Sequence, residues 1–113
     1  MKLWGKRNKV EISDQAHDLD SPGFWVNWVS YCQPQLEQVA QQVNWQPGAQ
    51  PSPVLVATLV RDPQTPRNPD GYRVEIGGIK IGYTPRAEFG QQAGRVPVVL
   101  VKNGRDIIAW AGA

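Results

Sequence analysis

The chain has one cysteine, Cys32, one histidine, His17, and no apolar run near the roughly 18 residues that a membrane span needs. A single thiol excludes an internal disulfide, and one thiol with one imidazole leaves no Cys/His zinc site. No charged stretch followed by an apolar core marks a secretory leader, so a soluble, cytoplasmic chain with no membrane partner is expected. Material for nucleophilic catalysis is also scarce. Ser13, Ser21, Ser30 and Ser52 supply hydroxyls, but a Ser/His/Asp set could use only His17, which sits in an acidic loop without a nucleophile motif. Around it, Asp14, Asp18 and Asp20 lack the glycine and terminal glutamate of a calcium loop, which favours solvated turn residues. No GxxxxGK[ST] loop occurs, and Gly77-Gly78 is too short to cradle a phosphate. These gaps point away from an enzyme and imply neither cofactor nor metal.

Positive charge is missing from a long stretch. Between Lys9 and Arg61 there is no Lys or Arg. Residues 1–50 hold four basic and five acidic side chains, net −1, and residues 51–113 hold eight and five, net +3. A surface for a polyanion therefore belongs to the second half, or to the short arm of Lys2, Lys6, Arg7 and Lys9.

What is present suits one folded domain: 113 residues with five tryptophans can fill a single core. Tyr72, Val74 and Ile76 alternate with Arg73 and Glu75. After Gly77-Gly78, Ile79, Ile81 and Tyr83 alternate with Lys80 and Gly82. Period two marks strands with one buried face, and here it puts Tyr83 on the face of Ile79 and Ile81. The Gly-Gly pair suits a two-residue hairpin. Val54–Val60, apolar apart from Thr58, reads as a strand covered on both sides. Val96–Val101 is another, its start pushed towards an edge by Pro97. Asn103-Gly104 then turns the chain into a return strand over Ile107–Trp110.

Ahead of these strands, Leu36, Val39, Ala40 and Val43 recur at helical spacing, with Pro34 tolerated in the first turn. Ser21-Pro22 has the form of a helix entry. The following GFWVNWVSYC is read as a helix on the spacing of Trp25, Trp28 and Val29, with a buried strand as the alternative. Val10–Ile12 fits a short edge strand or a frayed terminus equally, and Ala87–Ala93 fits a helical turn or two ended by Gly94. The expected class is α+β, mainly β. Residues 54–113 are expected to make a small five-stranded β-barrel or bent sheet. Residues 1–53 carry the basic arm, one or two helices and a Pro-rich linker that pack back onto it.

The polar groups able to grip an anion gather at one end of this scheme. Arg61, Arg67 and Arg73, with Asn68 and Asp70, lie in or beside the loop before the hairpin, and Tyr83 and Arg86 lie at its exit. A stacking face, phosphate-seeking cations and a hydrogen-bonding amide are what a single-stranded nucleic acid requires. The competing readings leave Tyr83 in the core and the arginines solvating a loop, or give Phe24–Trp28 to a protein partner as its contact face.

The order Arg61-Asp62-Pro63, Asn68-Pro69-Asp70, a β-branched strand, a glycine turn and Ile81-Gly82-Tyr83-Thr84-Pro85-Arg86 resembles the HIRAN domain. The likeness covers about Val54 to Phe89. It implies a small OB-like barrel that binds single-stranded DNA, and in the best-understood members its 3′ end. It further implies that Asn68 and Asp70 contact the terminal nucleotide, with Asp70 accepting a hydrogen bond from the 3′-hydroxyl. Tyr83 and Arg86 would meet the backbone or an adjacent base, and Arg61 would brace the loop or join the contact. The chain departs from the family where Asp70 follows Pro69 directly, which removes the residue that stacks on a base. Thr65 and Pro66 are additional, and the first fifty residues have no counterpart in the pattern.

Overall fold

In a computed structural model of the chain, residues 9–50, 52–61, 72–85 and 94–112 are described. Glycines make both hairpin turns of the second half. Strands β3 (Tyr72–Ile76) and β4 (Ile79–Tyr83) turn over Gly77 and Gly78, whose φ angles of 60° and 80° are those of a type I′ turn. Strands β5 (Arg95–Asn103) and β6 (Asp106–Gly112) turn over Gly104-Arg105, one residue later than the expected Asn103-Gly104, because Asn103 still pairs with Asp106 as the last rung of the ladder. Strand β2 (Leu55–Arg61) lies antiparallel between β5 and β3. Pro97 faces Val56 and precedes Val98, the first β5 residue paired with β6, so its missing N–H falls where that ladder has not begun. The Val56 N–H goes instead to the Glu11 carbonyl at 2.9 Å, and Ile12 bridges Leu55. Of the two readings of Val10–Ile12, pairing is the one found.

The expected five strands are six among the described residues. Strand β1 (Gly23–Trp25) pairs with β6, giving the order β1-β6-β5-β2-β3-β4. The helix expected over GFWVNWVSYC is therefore corrected to a strand followed by a 3-10 turn at Val29–Tyr31. The physical reasons are local. Ser21 does not cap a helix: its Oγ accepts the Asp18 N–H at 3.1 Å and closes the acidic turn. Gly23 then presses against β6, where an added Cβ would collide with the Ala111 carbonyl oxygen. Phe24 and Val26 are buried while Trp25 and Asn27 are exposed, a period-two pattern that bulky aromatic and β-branched residues favour.

The sheet curls into a half-barrel, and its two edges touch at one place. Past β1, Val26 N–H donates to the Ala109 carbonyl at 3.0 Å. Asn27 then crosses to β4: its N–H donates to the Tyr83 carbonyl at 2.8 Å, and the Tyr83 N–H donates back at 2.9 Å.

Helix α1 (Gln33–Gln42) forms where the apolar stripe predicted it, with Pro34 in the first turn. Leu36, Val39 and Ala40 enter the same core as Leu55, Val74, Ile76, Ile81 and Leu100. The Gln33 side chain ties the helix start to the sheet. Its Nε2 donates to the carbonyls of Val29 and Ile107, both at 2.9 Å, and its Oε1 accepts the Ile107 N–H at 2.8 Å. Among the described residues no helix is long and apolar enough to cross a membrane, and no three His, Cys, Asp or Glu side chains group as a metal site.

Candidate functional site

The β3–β4 ladder contains the feature that positions the site. Ile76 pairs with Ile79 and Glu75 with Lys80, but Val74 then pairs with Gly82 and Arg73 with Tyr83. One extra residue, Ile81, is accommodated on β4 as a bulge. Residues opposite one another in a ladder share a face, so Tyr83 belongs with Arg73 and not with Ile79 and Ile81. The simple alternation read from the sequence is corrected at this point. Ile81 is fully buried, whereas Tyr83 is half-buried on the outer face. Gly82 is required at the bulge because the seam passes directly over it. A Cβ there would collide with the Asn27 carbonyl oxygen and stand 2.7 Å from Val26 Cγ1.

Around Tyr83 the outer face gathers rings and cations. Lys80 Nζ lies 5.6 Å from the Tyr83 ring centroid, within cation–π range. The Trp28 ring approaches Tyr83 edge-on at 6.3 Å and 76°, and lies 5.6 Å from Tyr31 at a tilt of 40°. Tyr31 is 73% exposed. Trp28 adopts φ 72° and ψ 15°, a left-handed conformation that costs a bulky side chain about 1–3 kcal/mol. The fold thus holds an indole beside both tyrosines at a position where glycine or asparagine would be unstrained.

Charge on this face is mixed but leans positive. Arg73 Nε donates to Glu75 Oε2 at 2.6 Å, and Lys80 stands opposite Glu75 in the ladder. Arg73, Lys80 and Glu75 together carry one net positive charge. The buried Cys32 thiol is pushed up from its ordinary pKa, chiefly by burial, while the Lys80 charge pulls it partly back. At the exit of the hairpin, Thr84 is fully buried. Its Oγ1 accepts the Tyr72 N–H and its own N–H donates to the Tyr72 carbonyl, both at 2.9 Å, which fixes where the chain leaves β4.

The sequence-predicted site residues divide. Arg73 and Tyr83 are brought together. Arg61 pairs with the buried Tyr72 on the other face of the sheet. Its guanidinium carbon stands 5.9 Å from the Tyr72 ring centroid, with Nη1 in a long 3.5 Å contact to the hydroxyl. That is a bracing position at the end of the half-barrel, apart from Arg73 and Tyr83. Arg67, Asn68, Asp70 and Arg86 lie outside the described residues, as does the Ala87–Ala93 turn.

Sequence reasoning missed Lys80 and Tyr31, and offered Trp28 only as part of a protein contact face. Lys80 was legible as an outward residue of β4, but the bulge that brings Tyr83 beside it was not. Trp28 and Tyr31 reach Tyr83 only through the seam, a contact between segments far apart in the chain that no local periodicity carries. Against known proteins, the chain matches no protein-family model, no curated protein and no solved structure.

Proposed function

We propose that this chain is a non-enzymatic, HIRAN-like module that binds nucleic acid, with single strands or strand ends as its ligand. The observation that carries the reading is the bulge at Ile81, which turns Tyr83 outward beside Arg73 and Lys80. An aromatic face flanked by cations is the minimum equipment of a single-strand binder: the ring accepts a base of any sequence and the cations take phosphates. A curled antiparallel sheet with such a face outward is in keeping with the OB-like architecture that the Asn68-Pro69-Asp70 and Tyr83-to-Arg86 segments suggested. In this reading Asn68 and Asp70 engage the terminal nucleotide, Asp70 by accepting from a 3′-hydroxyl. Arg67 and Arg86 add charge for phosphates, and Arg61 braces Tyr72.

Titration of the chain with labelled single-stranded DNA, carrying free or blocked 3′ ends, tests both parts. Preference for the free end supports terminal recognition. Equal binding reduces the module to a general strand binder, and no binding at low salt removes the reading.

One observation favours a second reading. Trp25 is 43% exposed and packs edge-on against Trp110 at 4.8 Å, on a strand separate from the Tyr83 face. An exposed tryptophan held rigid by a neighbour is a common anchor of protein interfaces. Self-association or partner capture that is lost in Trp25→Ala, without any nucleic-acid binding, would favour that alternative.

A further inference from the structure

We infer that the segment from Asn27 to Tyr31 extends the nucleic-acid surface across the seam, with Tyr31, backed by Trp28, as a base-stacking position for a single strand. This rests on the nucleic-acid reading of the Tyr83 face and assigns to it residues that lie outside the stretch carrying the HIRAN likeness.

Tyr31 is the most exposed large hydrophobic side chain among the described residues, and it is not isolated. The 3-10 turn holds its backbone, with Tyr31 N–H donating to the Trp28 carbonyl at 3.1 Å and Cys32 N–H to the Val29 carbonyl at 2.9 Å. The paired Asn27–Tyr83 bonds fix this turn against β4, so the rings of Tyr31, Trp28 and Tyr83 keep their spacing. The left-handed backbone at Trp28 points the same way. Solvent-exposed turn chemistry asks for a small residue there, and an indole is held in its place between two tyrosines.

Charge separates the roles of the two sides. From Val10 to Val60 there is no Lys or Arg, and between Asp20 and Asp62 the one acid is Glu37. The segment therefore neither attracts nor repels phosphate. Arg73 and Lys80 lie on the opposite side of the seam. A strand crossing here sets its phosphates over β3 and β4 and its bases over the neutral rings. The shallow depression lined by Asn27, Trp28, Ser30 and Tyr31 also offers an amide and a hydroxyl to base edges, the mode by which splayed bases are read.

The test uses the full chain, a labelled oligothymidylate and an abasic strand of the same length. Tyr31→Ala should weaken oligothymidylate binding roughly 5- to 150-fold with the salt dependence unchanged, since a ring and no charge is removed. Tyr31→Phe should bind as wild type, and the abasic strand should not distinguish wild type from Tyr31→Ala. Thermal melting confirms that this exposed substitution leaves the fold intact. Undiminished oligothymidylate binding by Tyr31→Ala, while Arg73→Ala weakens it, overturns the inference and leaves the function standing. An equal loss on the abasic strand also overturns it, because the contact is then not to a base. Failure of the wild type to bind either strand overturns the inference together with the function.

Discussion

Asn27 and Tyr83 exchange both of their backbone hydrogen bonds, at 2.8 and 2.9 Å, where the two edges of the curled sheet meet. Val26 and Asn27 lie close enough to Gly82 that the bond pair and the bare backbone beneath it form one unit.

Gly82→Ala should therefore destabilise the fold by about 1–3 kcal/mol through forced overpacking. The amides of Asn27 and Tyr83 should lose hydrogen-exchange protection first. Gly104→Ala is the control. It also replaces a glycine at positive φ, 63°, but meets nothing within 4 Å, so it should cost only the backbone strain, about 1 kcal/mol. Urea melts of the two variants read the difference.

The second stability prediction concerns Gln33, whose amide substitutes for a strand neighbour at Ile107 and also holds the Val29 carbonyl. Gln33→Ala leaves a partly buried N–H and two carbonyls without that partner and should cost about 1–3 kcal/mol. Gln38→Ala, on the exposed face of the same helix, should stay within about 0.5 kcal/mol of wild type. Denaturant midpoints compared at equal slope measure both.

Cys32 links the site to pH. Burial raises its thiol above the ordinary value of 9.0, so the folded chain holds that proton more tightly than the unfolded chain. Below the unfolded pKa both states are neutral and the contribution is fully present. Above it the unfolded thiol ionises first, and stability falls as pH rises towards the folded value. The alkaline fall in melting temperature should be shallower in Cys32→Ala than in wild type. Removing the opposing charge with Lys80→Ala should raise the thiol further and slow its reaction with a disulfide reagent.

The hairpins were legible because their turns demand particular residues: Gly77-Gly78 sits between alternating segments, and Gly104 separates an apolar run from its return strand, although the second turn falls on Gly104-Arg105 and not on Asn103-Gly104. Helix α1 was legible from Leu36, Val39 and Ala40 for the same reason, a period that depends only on neighbours. The sixth strand was not, because Gly23–Trp25 follows a Ser-Pro pair that imitates a helix entry and takes its geometry from the distant edge of β6. Nor was the outward turn of Tyr83. A single bulge residue shifts every later side chain to the other face, and alternation alone does not reveal it; Gly82 in mid-strand was the one available hint. Of the candidate site, the sequence held Arg73 and Tyr83 correctly as neighbours at one end of the hairpin. It grouped Arg61 with them, although a strand pairing with buried Tyr72 assigns Arg61 to the other face.

The central claim is that the outward Tyr83 face, with Arg73 and Lys80, grips a single strand. Fluorescence anisotropy of a labelled oligothymidylate, titrated at low and at physiological salt, measures it most directly. The account requires binding that weakens with salt. Lys80→Ala should flatten the salt slope by about one unit. Tyr83→Ala should lower affinity by about 1–3 kcal/mol without changing the slope. No binding by the wild type at low salt, or binding that neither substitution alters, would contradict it.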